Sequence, residues 1–375
     1  MGALQNQPNM STLKNRYLSL DVFRGLDVAL MIIVNSPGRG STTFSPLLHA
    51  EWNGFTLTDL VFPTFLFVVG NSMSFSMKKY ESMGNAAVFK KVFKRTAIIF
   101  LLGFLMYWFP FFDDGQLKPF SDTRIFGVLQ RIALCYMFAS IILHFVKTRT
   151  AIWLSIAFLA AYHLILIGFG DLTLTGNAVL KLDEWLIGPN HMYHGEGIAF
   201  DPEGLLSTLP AIVNVIIGYL AGKFIQQNGQ NYETISKLMM VGFALVFAGL
   251  AWDLLLPINK KLWTSSFVLL TCGIDLVAIA TLIYFLDMRK TKGWSYFFEV
   301  FGKNTLFIYL LSELFVISLF SIDVGDSSLY RWIADNVFIS WSGGYMGSLL
   351  FALWIMLACW VVGYVMDKKG IYVKV

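Results

Sequence analysis

The sequence predicts an all-α fold: a polytopic transmembrane helical bundle of about 10 spans, with the N- and C-termini cytoplasmic. Three observations carry that expectation. Of 375 residues, 56% are hydrophobic and 14% charged, against roughly 25% charged in soluble domains. Apolar stretches near the ~20 residues needed to cross a bilayer recur along the chain, separated by short polar segments. The lysines and arginines also divide unevenly between the two sides that those stretches define.

Residues 1–18 read as a cytoplasmic N-terminal tail and 19–375 as a single transmembrane domain, which excludes a soluble enzyme carried on one anchor. The first apolar stretch, 20–36, lacks a small-residue cleavage site and reads as a retained helix. Further spans are expected at 58–77, 96–112, 124–146, 150–168, 205–225, 238–256, 263–286, 295–320 and 345–366. With the N-terminus inside, eighteen Lys and Arg fall in inner segments and six (Arg39, Lys118, Lys181, Lys260, Lys261 and Arg331) in outer ones, the asymmetry of the positive-inside rule. Trp108, Trp263, Trp294, Trp341 and Trp360 sit near span ends, where an indole N–H stays wet.

The outer segment 169–204 contains Gly188, Pro189, Gly195, Gly197 and Pro202, and reads as a structured loop over an outward-facing site rather than another helix. Cys135, Cys272 and Cys359 all lie in apolar stretches, as core residues rather than disulfide partners. Gly218–Gly222 forms a small-xxx-small pattern that permits close helix approach within one chain or between two, leaving a homodimer open.

Charges inside an apolar span mark pathways or sites unless they are paired. Asp21, Arg24 and Asp27 recur every third residue on the first span, as a structural ion pair near the inner surface or as part of a site. Asn35 follows eleven residues after Arg24, about 16 Å further along a helix, so one helix reaches both surfaces. The next loop runs His49-Ala50-Glu51-Trp52-Asn53-Gly54 to Asp59 at the start of the second span. A histidine suits proton transfer near neutral pH, and a carboxylate can fix its tautomer. The same residues also serve as a packing histidine and a helix cap. Gln130 and Arg131, Asp275, Lys303 and Asn304, and Glu313 place polar groups on several later spans, implying a water- or ligand-filled interior. The run Lys90-Lys91-Val92-Phe93-Lys94-Arg95 suits phosphate or anionic membrane lipid equally. His191, His194 and Glu196 have no metal-site spacing, and no metal is expected.

The blocks Ser19–Gly25 through Asn35, His49–Gly54, Thr58–Pro63, Gly70, Gly127–Arg131, Gly188–Tyr193, Phe200–Gly204 and Asn259–Ser265 together resemble the heparan-α-glucosaminide N-acetyltransferase family and its bacterial relatives, over nearly the whole chain. The Arg24-to-Asn35 spacing is similar to the arginine–histidine spacing of the broader transmembrane acyltransferases, with Asn35 in the histidine's place. The resemblance implies acetyl transfer from cytoplasmic acetyl-CoA, as co-substrate, to an amino sugar of glucosamine type on the far side. It implies His49 as base or nucleophile, Asn35 as oxyanion donor and Asp59 as the carboxylate orienting His49. Arg24, Arg95, Gln130, Arg131 and Lys303 would hold the CoA, and Trp52, Asn53, His191, Asp201 and Glu203 the acceptor. The bacterial inner membrane is the expected location, and nucleic acid is not an expected partner. Two other readings of the same residues are a secondary transporter of a sugar derivative and an O-acetyltransferase of a surface glycan.

Overall fold

The computed structural model describes residues 17–80, 82–113 and 115–373. The expected tail lies outside these residues up to position 16. Helices occupy all ten expected positions: α1 (Leu18–Asn35), α2 (Leu57–Tyr80), α3 (Asn85–Trp108), α4 (Val128–Phe145), α5 (Thr148–Phe169), then, past the short α6 (Ala178–Ile187), α7 (Thr208–Asn228), α8 (Tyr232–Asp253), α9 (Ser265–Leu282), the pair α10 (Ser295–Lys303) and α11 (Thr305–Phe320), and, past the short α12 (Leu329–Ile333) and α13 (Ser340–Ser342), α14 (Gly344–Lys368). Among the described residues, seven helices are long and apolar enough to cross a membrane, or eight if the α10–α11 pair counts as one span. The other two, α1 and α3, carry three and four charged side chains respectively, more than lipid tolerates on an exposed helix. The chain is a multi-pass membrane bundle.

Three expectations change. The ninth span is two helices bent by 85° at Asn304, and the bend is filled by the chain's own C-terminal segment. Asn304 Nδ2 donates to the Ile371 carbonyl at 3.0 Å, and Asn304 Oδ1 accepts from Val373 N at 2.9 Å. Segment 169–204 contains α6, capped by Asn177 Oδ1 accepting from Leu180 N at 2.8 Å, because an N-cap amide starts a helix wherever apolar residues can bury one face of it. Helix α3 starts eleven residues before the expected span, so the Lys90–Arg95 cluster rides on its first turns rather than in a loop.

The long connections 36–56, 109–127, 170–207, 254–264 and 321–343 gather at one end of the bundle, while 81–84, 146–147, 229–231 and 289–294 close the other. Contacts confirm the gathering: Gly54 N donates to Ile258 O, Trp52 Nε1 to Leu172 O, Ile125 N to His191 O and Tyr330 OH to Pro37 O. The most extensive helix pairs are α8 with α9, α2 with α7 and α1 with α10. Gly218 packs on the Phe67 carbonyl and Gly222 on Asn71 and Ser74, so the small-xxx-small pattern joins α7 to α2 within one chain. Backbones that close leave no room for a Cβ, which is why glycine stands at the crossing. Trp263 also departs from its expected wet position. It is fully buried, and its N–H donates to Asn214 Oδ1 at 3.1 Å.

Candidate active site

The loop end of the bundle holds a histidine between an acid and an ammonium. Asp59, in the first turn of α2, is 1% exposed and points back at the preceding loop. Its Oδ2 accepts from Ala50 N at 3.1 Å, Thr56 N at 3.0 Å and the Thr56 hydroxyl at 3.1 Å. These bonds occupy donors that a helix N-terminus would otherwise leave open, and they fix the carboxylate. Its Oδ1 then meets His49 Nδ1 at 2.7 Å. With the proton on Nδ1 shared toward Asp59, Nε2 carries the lone pair. His49 itself is exposed.

Lys260 completes the arrangement from a different part of the chain. Its Nζ lies 3.2 Å from both ring nitrogens of His49. Lys260 sits on a turn closed by Thr264 N to Asn259 O at 3.1 Å and Leu262 N to Asn259 Oδ1 at 2.8 Å. Trp263 in that turn holds a φ of 52°, a left-handed conformation that a bulky side chain adopts only where its surroundings enforce it. The buried ring packs on Phe62 and Phe267 at 5.1 and 5.3 Å between centroids, and those contacts supply the enforcement. Burial pulls the Lys260 ammonium below its ordinary range, against the opposing pull of Glu203 and Asp59.

A second cluster stands beside the first. Arg124 donates to Asp201 through Nε and Nη2, at 2.9 and 2.7 Å, and to Glu203 through Nη2 at 2.7 Å. Tyr107 and Tyr193 lie against its guanidinium, with ring centroids 4.9 and 4.8 Å away. Burial alone would raise the Glu203 carboxyl, but Arg124, Lys260 and Arg131 outweigh it and hold Glu203 below its usual value. Glu203 thus links this cluster electrostatically to the His49 centre.

The remaining sequence candidates divide by place. Trp52 packs on Phe200 at 5.8 Å and Asn53 Oδ1 accepts from Asn259 Nδ2 at 3.1 Å, so both tie the loops together beside His49. His191 donates from Nδ1 to the Thr123 carbonyl at 2.8 Å and does the same for the Arg124 segment. Asn35 donates to Glu313 Oε1 at 3.2 Å, tying the end of α1 to the middle of α11. Gln130 and Arg131 are fully buried at the loop end of α4. Arg131 Nη2 reaches Gly204 O at 2.8 Å and the Ser207 hydroxyl, with Trp263 over its guanidinium. Both Gln130 amide atoms lack a hydrogen-bond partner among the described residues.

Toward the opposite end, Arg24 donates to Ser72 at 2.7 Å and Gly302 O at 3.1 Å, and it pairs with Asp21 at 3.4 Å. Arg95 packs over Tyr136 at 4.7 Å, and Lys303 is held by Asp367 at 2.8 and 2.9 Å. The five donor-side candidates are therefore split between the two ends. Among the described residues, no group of three or more His, Cys, Asp or Glu side chains is arranged to hold a metal. Sequence reasoning missed Lys260, Arg124 and Glu313 as parts of the site. Lys260 was visible as an outer cation within the Asn259–Ser265 block, and nothing local ties it to a histidine 211 residues away.

Residues 16–256 match the family described as Heparan-alpha-glucosaminide N-acetyltransferase, catalytic. The chain is 27% identical to the Heparan-alpha-glucosaminide N-acetyltransferase of Mus musculus over 96% of its length, and 26% identical to that of Homo sapiens over 98%. In each case it spans 61% of the relative's own length. The profile covers well over half of this chain and includes the His49–Asp59 loop, α4 and the Arg124 cluster. The chain belongs to the heparan-alpha-glucosaminide N-acetyltransferase catalytic family.

Proposed function

We propose that this protein is a membrane acetyltransferase that moves the acetyl group of cytoplasmic acetyl-CoA to the amine of a glucosamine-type sugar at the loop end of the bundle. The observation that carries this reading is the His49 ring held between the Asp59 carboxylate and the Lys260 ammonium at an open surface. In the step proposed, the sugar amine attacks the thioester carbonyl while His49 Nε2 takes a proton from the nitrogen. The carbon–sulfur bond breaks as the tetrahedral intermediate collapses, and the CoA thiolate leaves and takes up a proton. Lys260 is suited to stabilise negative charge as it develops on the carbonyl oxygen. The acidic side of the neighbouring cluster, Glu203, is suited to an ammonium-bearing acceptor. The ends of α1 and α3 bearing Arg24 and Arg95 are suited to the phosphates and pantetheine arm of acetyl-CoA. On this reading the ends with short connections face the cytoplasm, where the cations concentrate, the chain crosses the membrane ten times, and the bacterial inner membrane is its location.

The 85° break at Asn304 favours a second reading, since sugar carriers use broken helices at their binding sites. Radiolabelled acetyl-CoA separates the two. Wild-type protein in lipid vesicles is expected to release CoA and label glucosamine or a related amino sugar, with the rate falling at least a hundredfold in His49→Ala, a typical scale for a lost acid–base group. Protein that is not thermally protected by CoA and transfers no label to any amine would sink the acetyltransferase reading.

A further inference from the structure

Asp27, on the middle of α1, and Asp275, on the middle of α9, are the acidic side chains of a cleft of about 340 Å³ lined from α1, α2 and α9. Neither takes part in the site described above. Asp27 is 3% and Asp275 1% exposed. The Thr64 hydroxyl of α2 donates to Asp275 Oδ1 at 2.6 Å. The Oδ2 atoms of both aspartates are buried with no hydrogen-bond partner among the described residues.

Among the described residues, no Lys, Arg or His lines the cleft, whose other walls include Leu26, Leu30, Leu57 and Leu60. Several charged and titratable groups on the surrounding helices are engaged elsewhere, while Asp287, where α9 continues past Leu282, has a buried Oδ2 with no hydrogen-bond partner among the described residues. One turn earlier on α1, Arg24 bonds Gly302 O and Ser72, and Asp21 pairs with Arg24. Asp59 on α2 holds His49, and Lys303 on α10 holds Asp367 of α14. Cys272, one turn before Asp275, accepts from Asn214 at 3.3 Å, and Glu313 on α11 accepts from Asn35.

Two buried carboxylates facing one apolar space are costly to charge together without a counter-ion, because their Oδ2 atoms have no hydrogen-bond donor among the described residues. One proton lowers that cost by removing one of the two charges. We propose that Asp27 and Asp275 form a proton-binding site within the membrane, opening on the flank of the bundle beside the exposed Leu57. A metal cation is a poorer occupant, since hard cations collect six or more oxygens and the cleft offers two carboxylates and a hydroxyl that already donates. The site places a proton-dependent contact on α1 between Arg24 and Asn35.

Dicyclohexylcarbodiimide partitions into lipid and reacts with protonated carboxyl groups, and it tests the assignment directly. The full chain would be labelled in phosphatidylcholine vesicles at pH 7, in sodium chloride and in choline chloride, and the adducts located by peptide mass spectrometry. An adduct on Asp27 or Asp275, equal in both salts and falling as pH rises, is the expected result. Asp27→Asn and Asp275→Asn each remove the adduct from the substituted position, and the wild-type measurement stands even if a variant fails to fold. Absence of an adduct at both positions overturns the proposal, and so does an adduct that sodium suppresses, which would assign the cleft to the metal ion.

Discussion

His49 Nδ1 and Asp59 Oδ1 lie 2.7 Å apart across ten residues of chain, and the same Asp59 carboxylate closes the N-terminus of α2 through Thr56 and Ala50. One side chain thus both starts a helix and orients the ring. Asp59→Asn keeps the size of the group but removes its charge and offers an amide N–H to donors. It is expected to lower kcat about a hundredfold or more, with KM for acetyl-CoA unchanged. Steady-state kinetics in vesicles would check this, and an unchanged kcat would leave Asp59 as a helix cap alone.

Lys260 carries a pH dependence of definite sign. Its ammonium is held below the ordinary lysine range by burial, so the charged form is lost earlier as pH rises. If that charge supports transfer, activity falls on an alkaline limb lying below the usual lysine range. Lys260→Arg, which stays charged, is expected to move the limb upward even where it lowers the maximum. An alkaline limb unmoved in the arginine variant would remove Lys260 from the reaction.

Arg124 binds two buried carboxylates at once, and the planar fork that does so has no counterpart in lysine. Arg124→Gln removes the cation that bonds both Asp201 and Glu203, and is expected to destabilise the protein by about 3 kcal/mol, the scale for breaking a buried pair. Arg124→Lys is expected to recover part of this. Thermal unfolding in detergent reads both variants, and equal melting temperatures for all three proteins would contradict the pairing.

Asp183, on α6 outside the spans, is pushed up to about 7 by burial, and its Oδ1 accepts from Leu205 N at 3.0 Å. A carboxyl raised in the folded state binds more protons folded than unfolded between its two pKa values. Its contribution to stability is therefore full below about pH 4 and is lost as pH rises through about 7. Asp183→Asn is expected to flatten that decline and to raise the melting temperature above pH 7 relative to wild type. A melting profile that keeps the wild-type slope between pH 5 and pH 8 would contradict the assignment.

Gly25 and Gly302 let α1 and α10 cross at backbone distance, because a Cβ at Gly25 would overlap the Phe298 carbonyl and one at Gly302 the Asp21 carbonyl. Gly25→Ala is expected to cost about 3 kcal/mol, at the upper end of typical overpacking. Gly40 has open space around its position, so Gly40→Ala serves as a control with little effect. The comparison of melting temperatures would expose a crossing looser than this one.

The order of the long helices was legible in the sequence, most directly for the seven, or eight with the α10–α11 pair, that are long and apolar enough among the described residues to cross a membrane, because a bilayer imposes a length and an apolarity that a single window of residues must satisfy by itself. The His49–Asp59 pairing was legible for a similar reason: ten residues separate the partners, and the acid's place in the first turn of α2 brings it back to the loop. The start of α3 was misplaced because charged first turns continue the helix beyond its apolar part.

What the sequence by itself determined is the order of the long helices, their alternation between two ends, and the local acid–histidine unit. What only the tertiary structure decided is which distant residues join that unit. Lys260 reaches His49 because a strained turn at Trp263 is locked by aromatic packing. Arg124 finds Asp201 and Glu203 because two loops meet at one end, and α1 settles on α10 because their glycines permit it. Spans are specified by local free energies of transfer. Contacts across the bundle depend on how helices of nearly equal apolarity pack against one another, and hydropathy carries no information about that choice.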